Sequence, residues 1–346
     1  MNAKEFFGIE RPIIQSPMAG VQDSSLTIAV SNAGGLGSLP CAMLSKEQIV
    51  DELNIITQAT SHPFNINFFC HTAPISSAVR EAQWRRALQP YFTEYNLDLN
   101  DLGAGFARES FSNDIIDIIA PFKPPVLSFH FGLPAANLIQ LAKAWGAIII
   151  ASATTVSEAL WLEANGADAV IAQGLEAGGH RGLFLSTDIT TQVGSLSLIP
   201  QIVSAVNIPV IAAGGFSDAR SVGAALALGA IAVQLGTTYL LCKETTTSAL
   251  HRAAIKSPAS QHTAITNVFS GRPARSIVNK LVREVGPMST EVPDFPLAAT
   301  SVGALKQAAE ANNSSDFSSL WCGQNATGCK EISATELTIE LTPKNY

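Results

Sequence analysis

Charge is scarce in this chain. Of 346 residues, 14% are charged, with 21 Lys and Arg against 28 Asp and Glu. Combined with 47% hydrophobic residues, that balance excludes intrinsic disorder and indicates a globular chain with a large core. The formal net charge of −7 comes without any Lys/Arg-rich patch, which argues against nucleic acid and against anionic membrane surfaces. Cysteines are few and scattered: Cys41, Cys70, Cys242, Cys322 and Cys329 form an odd set with no C-x-x-C pair. A zinc site and a disulfide framework are both disfavoured, and reduced thiols in a cytoplasmic protein are expected. No cluster of Asp, Glu or His has metal-ligand spacing, so no metal is expected. The N-terminus, MNAKEFFGIE, lacks the apolar core of a signal peptide. The uncharged run Ser221–Cys242 is long enough to span a bilayer, but Gly229, Gly236 and Gln234 interrupt it. It reads better as a helix followed by a buried strand, with no membrane contact.

What is present is a repeated alternation. Short apolar runs at 11–18, 34–39, 64–69, 125–130, 146–151, 167–173, 208–212 and 230–235 read as strands. Between them, helical spacing predicts helices over 24–32, 45–57, 72–95, 137–145, 155–164, 196–206 and 218–228. Ser45 is a predicted N-cap, and Asn165–Gly166 a predicted helix stop. Trp84, Arg85 and Arg86 are placed on an outward helical face. Continuous apolar strands imply burial on both faces and hence a parallel sheet. Eight βα units close most economically as a (β/α)₈ TIM barrel. A doubly wound sheet is the alternative, but the first strand lacks the G-x-G-x-x-G turn. From Lys243 onward Pro, Ser and Asn rise and strand signals fade. The expected division is a barrel over 1–242, a smaller, mostly helical part over the barrel mouth at 243–320, and a segment at 321–346 returning to the barrel.

Functional residues of such barrels lie at the C-terminal ends of the strands. Those ends hold Gln15–Met18, Asn67, His130, Gln173–His180, Ala213–Gly215 and Gln234–Thr237. The stretch Gln173–Gly182 (QGLEAGGHRG) combines four glycines with Glu176, His180 and Arg181. Glycine lets backbone approach a ligand, and a histidine can titrate near neutrality. Loops after the last two strands commonly hold phosphate on backbone amides, which gives Gly215 and Gly236 a role without any lysine. His130 either lines the pocket of His180 or hydrogen-bonds inside the barrel. His71 follows the third strand and could touch substrate. His62, His251 and His262 are expected to be solvated, Glu176 to brace its loop, and Arg181 to point outward.

Several motifs, in order along the chain, resemble the nitronate monooxygenases of the class that uses flavin mononucleotide (FMN). They are QSPMAGV (15–21), NINFFCH (65–71), SFHFGLP (128–134), QGLEAGGHRG (173–182), IAAGGFSD (211–218) and ALGAIAVQLGT (227–237), with FSGRPAR (269–275) and SLWCGQ (319–324) beyond. The resemblance implies FMN-dependent oxidation of alkyl nitronates with O2, giving a carbonyl compound and nitrite. Propionate 3-nitronate and nitroalkanes are the implied substrates. It implies Met18 beneath the flavin ring, Asn67 and Gln173 at the flavin edge and ribityl chain, and Gly178, Gly215, Gln234, Leu235, Gly236 and Thr237 around the ribityl-phosphate. His180 would be the catalytic group, either taking the α-proton of a neutral nitroalkane or hydrogen-bonding the nitro oxygens of a nitronate. Gln324 would return near the flavin. A monomer or homodimer is expected. The alternative is an FMN-dependent NAD(P)H:quinone or enoyl-thioester reductase of the same barrel build; a flavin-free barrel binding a sugar phosphate is a third reading.

Overall fold

The structure is a computed structural model that describes residues 1–99 and 110–344. Its strands are β1 (Ile13–Gln15), β2 (Gly37–Pro40), β3 (Phe64–Phe69), β4 (Val126–His130), β5 (Ile148–Ala153), β6 (Ala169–Gln173), β7 (Gly179–His180), β8 (Val210–Ala213), β9 (Ala232–Leu235), β10 (Thr263–Thr266) and β11 (Ala274–Ile277). Eight of them form one parallel sheet in the order β1-β9-β8-β6-β5-β4-β3-β2. Its two edges meet. Ile14 bridges Leu36, with Gln15 N donating to Leu36 O and Leu36 N to Ile13 O, each at 2.9 Å. Each strand thus has two neighbours, and the ring is the expected (β/α)₈ barrel.

Strand periodicity builds two concentric cores. Val126, Ile150, Ala169, Ile171, Ile211, Ala213 and Ala232 share an inner cluster with Ile14 and Leu36, joined by Ala3, Phe7 and Ile9 from the N-terminal segment. Their neighbours Leu127, Ile149, Ala151, Val170, Ala172, Val210, Ala212 and Val233 face an outer cluster with the helices. Polar side chains are buried along the strands as well, from Asn65 near the start of β3 and Ser128 in mid-β4 to Asn67, Ser152 and Gln173 nearer the C-terminal ends. The helices Ser24–Asn32, Lys46–Ala59, Ala136–Ala144, Val156–Ala164, Ser195–Ala205 and Ala219–Ala227 lie between strands, and Ser45 caps its helix in a reciprocal box with Gln48. The C-terminal helix Ala334–Glu340 packs on Ser24–Asn32. The run 221–242 divides into the end of a helix and β9, and among the described residues no helix is long and apolar enough to cross a membrane.

The second part contains the helices Ala249–Lys256, Lys280–Val285 and Ala298–Ala311 and a small antiparallel sheet, β10–β11–β7. Its strands TAIT and ARSI are four residues each, too short for a periodic signal. The predicted helix at 72–95 starts later, at Ala78, capped by Ser77. Trp84 is not on an outward face. It is 2% exposed and belongs to a core with Leu88, Phe92, Val268, Leu281, Val302, Leu305 and Phe317. Positions 84, 88, 91 and 92 are one helical stripe, but the flanking Arg85 and Arg86 masked it.

Candidate active site

One cavity opens at the C-terminal ends of the barrel strands, with an empty volume of about 1400 Å³ including its open mouth. Met18, Asn67, His130, Gln173, Gly178, His180, Gly215, Gln234, Leu235, Gly236 and Thr237 all line it. His71 and Gln324 do not. Gln324 is exposed, and only its backbone serves the site, donating to Glu176 O at 2.9 Å.

His180 is held by a strand pair, not by a free loop. β7 pairs with β11, placing His180 opposite Ala274 and Gly179 opposite Arg275. Its Nε2 lies 2.8 Å from Ser270 Oγ, and Ser270 is buried. Its backbone carbonyl accepts from Gln173 Nε2 at 3.0 Å, while Gln173 Oε1 accepts from Gly182 N at 2.8 Å. Phe69, Phe131, Phe295 and Trp321 surround the imidazole, with ring centroids 5.3–6.2 Å away.

Arg181 is buried, contrary to the outward placement. It is 0% exposed and donates to Gln173 O, Gly174 O and Gln192 Oε1 at 2.8–2.9 Å. Two backbone carbonyls and one side-chain amide oxygen satisfy the guanidinium fork, a tertiary arrangement that local composition does not reveal. Burial lowers its pKa to about 9. Glu176 braces the loop as expected, accepting from Ser195 N and Oγ at 2.9–3.0 Å at the start of helix Ser195–Ala205.

His130 does both things foreseen for it: it lines the cavity and hydrogen-bonds inside the barrel. Its Nε2 is 3.2 Å from His180 O and its Nδ1 3.0 Å from Ser152 Oγ. A carbonyl only accepts, so Nε2 carries the proton and Nδ1 receives the serine hydroxyl. Burial, with the charges of Arg272 and Arg181, holds its pKa at about 3, so the ring is neutral with both nitrogens engaged. His251 is not solvated. It is buried, lines the cavity and sits 3.2 Å through Nε2 from Trp321 O, with burial pushing its pKa down to about 4.

The opposite wall suits an anion. Gly214 and Gly215 have φ of +104° and +86°, open to glycine at little cost. The amides of Gly215, Phe216, Gly236 and Thr237 make no hydrogen bond to protein among the described residues. Gln234 Oε1 is a buried acceptor without a partner there. A strap, Trp321–Asn325, crosses this wall. Gly323 N donates to Thr237 Oγ1 at 2.9 Å, and Asn325 Nδ2 donates to Ser217 Oγ at 2.8 Å and Gly215 O at 3.2 Å. Sequence reasoning missed Ser270, His251 and Asn325. The motif FSGRPAR contains Ser270, and Asn325 directly follows SLWCGQ.

Residues 2–344 match the family model described as Nitronate monooxygenase. A nitronate monooxygenase from Pseudomonas aeruginosa is 38% identical over 339 residues, covering 96% of each chain. Among solved structures, the nitroalkane oxidase from Streptomyces ansochromogenes superposes with a TM-score of 0.88 at 36% identity, covering 96% of this chain and 95% of that one. FabK from Thermotoga maritima superposes at 0.73 and 27% identity, covering 98% and 94%.

Proposed function

Because the chain belongs to the nitronate monooxygenase family, we propose that it oxidises alkyl nitronates with O2 to a carbonyl compound and nitrite, using FMN held in this cavity. The observation that carries the reading is the meeting, in one cavity, of a braced histidine and a wall of glycine-rich loops with unengaged amides. That wall fits a phosphate tail. Gly178, Gly215 and the Gln234–Thr237 loop would hold it. Gln234 Oε1, a buried acceptor lacking a donor among the described residues, would take its hydrogen bond from a hydroxyl or ring N–H of the cofactor, not from the phosphate. Met18, Asn67 and Gln173 would flank the ring end; the amide nitrogen of Asn67 is already donated to Ser128, which leaves its oxygen as the acceptor. Electron transfer from nitronate to O2 is the chemistry FMN supplies when bound.

The protein's own part is positioning and proton handling. His180 takes the α-proton of a neutral nitroalkane or donates to the nitro oxygens of a nitronate. Ser270 Oγ can donate to or accept from Nε2, so it supports the ring in either protonation state. His130 is unsuited to this work, being neutral and hydrogen-bonded at both nitrogens. The aromatic rings around His180 keep water away and strengthen its interaction with an anion. Replacement His180→Ala is expected to retain FMN and lose turnover of neutral nitroalkanes by roughly 10²–10⁴-fold, the usual worth of a positioned acid/base group. Near-wild-type turnover would remove His180 from the mechanism.

The structural likeness to FabK supports a second reading, an FMN-dependent NAD(P)H:quinone or enoyl-thioester reductase. The same cavity would serve it, and the electron donor distinguishes the two.

A further inference from the structure

Two of the aromatic neighbours of the central histidine, Phe69 and Trp321, line the cavity. Phe69 is half-buried and also lines the cavity, its ring enclosed by those of His71, His130, Phe131, His180 and Phe295. Phe131 and Phe295 pack behind His180 and do not line the cavity. Trp321 does line it. Its indole centroid is 5.3 Å from the His180 ring, tilted by 51°, and its other ring contact is the edge of Phe269 at 5.4 Å.

The backbone of Trp321 is fixed independently of its side chain. It bridges Ser276 of β11, its carbonyl faces His251 Nε2 at 3.2 Å, and the next residues of the strap are tied to Arg275, Thr237 and Glu176. The half-buried indole hangs from this fixed backbone and is packed between the rings of His180 and Phe269. It faces a group that acts on the polar end of a substrate, so it meets whatever extends from that end.

We propose that Trp321 sets the chain-length limit of the substrate: the anionic head engages His180, and the indole stops the alkyl tail. This rests on the reading of the cavity as a site for alkyl nitronates. Up to the wall, each buried methylene adds about 0.8 kcal/mol, or roughly fourfold in binding. Beyond it, further methylenes add nothing. Replacing the indole by a smaller group moves the wall outward, so the fourfold increments continue for longer chains. Fixed-geometry pockets discriminate by methylene count on this scale.

The test uses the FMN-loaded full-length protein as wild type, Trp321→Phe and Trp321→Ala. Ethyl-, butyl- and hexylnitronate are compared by kcat/KM. Butanoate, hexanoate and octanoate, unreactive planar anions, are compared by calorimetric Kd. In the alanine variant, preference for the longest over the shortest member is expected to rise at least tenfold in both series, with the phenylalanine variant between. FMN affinity is expected to stay within about twofold, since the strap is held by backbone. An unchanged carboxylate preference in folded, FMN-loaded Trp321→Phe and Trp321→Ala would overturn the assignment. Absence of nitronate turnover in the wild type, with the carboxylate preference still moved, would instead overturn the proposed reaction and leave Trp321 as the limit of an anion site.

Discussion

Lowering the pH from 7 to 5 perturbs the two buried imidazoles of the site in a calculable way. His130 and His251 have pKa values held down to about 3 and about 4 by burial, against about 6.5 in an unfolded chain. As pH falls below 6.5 the unfolded chain takes up protons that the folded chain refuses. Stability is therefore fully present above pH 6.5 and is lost on the way down to the folded values. At pH 5 both folded rings are still neutral, and each costs RT ln(1 + 10^1.5), about 2 kcal/mol. The pair together costs about 4 kcal/mol. Asp218, held at about 2, remains ionised across this window. Guanidinium unfolding at pH 7 and pH 5 should show that loss in the wild type, about half of it in His130→Gln, and little in the double variant with His251→Gln. The ring-proton resonances of both histidines should show no titration above pH 5. Equal pH sensitivity in wild type and double variant, or a His130 midpoint near 6.5, would refute the assignment of a neutral, doubly hydrogen-bonded His130.

A Cβ at Gly178 would lie 2.5 Å from Gly323 N and 2.6 Å from Cys322 C. Because backbone cannot yield as a side chain can, Gly178→Ala should push the strap off its wall and lower retained flavin absorbance per protein at least tenfold. Ser270→Ala removes the oxygen 2.8 Å from His180 Nε2; kcat should fall about tenfold with a shifted pH–rate profile and unchanged FMN binding, about the worth of one hydrogen bond to a charged group. Arg181→Met leaves the carbonyls of Gln173 and Gly174 and the amide of Gln192 without their donor. Unmet buried acceptors cost about 1–3 kcal/mol each, partly offset by removing a buried charge, so a melting-point loss of roughly 5 °C is expected in scanning calorimetry.

The barrel was legible because its information is local. Runs such as Ile148–Ala153 between Gly146 and a helix start state their own secondary structure, and eight of them in order leave few ways to close. The glycine loops were legible for the same reason: Gly214 and Gly215 adopt a backbone few other residues tolerate. What stayed hidden depends on partners distant in sequence. Trp84 faces a core completed by residues beyond 260. His180 is a strand residue only because β11 lies beside it. Arg181 turns inward toward carbonyls created by the fold of its own loop, and His251 is buried by the returning strap at Trp321. Side-chain direction at such positions is a tertiary property, outside the reach of spacing and composition.

In the proposed reaction nitronate, not a pyridine nucleotide, reduces the bound FMN. Under strict exclusion of oxygen, the FMN-loaded protein is mixed in separate experiments with ethylnitronate and with NADH or NADPH, and the visible flavin absorbance is followed by stopped flow. Rapid bleaching by the nitronate is expected, with slow or absent bleaching by either nicotinamide and return of colour with nitrite release when O2 is admitted. Bleaching by NADH or NADPH with no response to nitronate would contradict it.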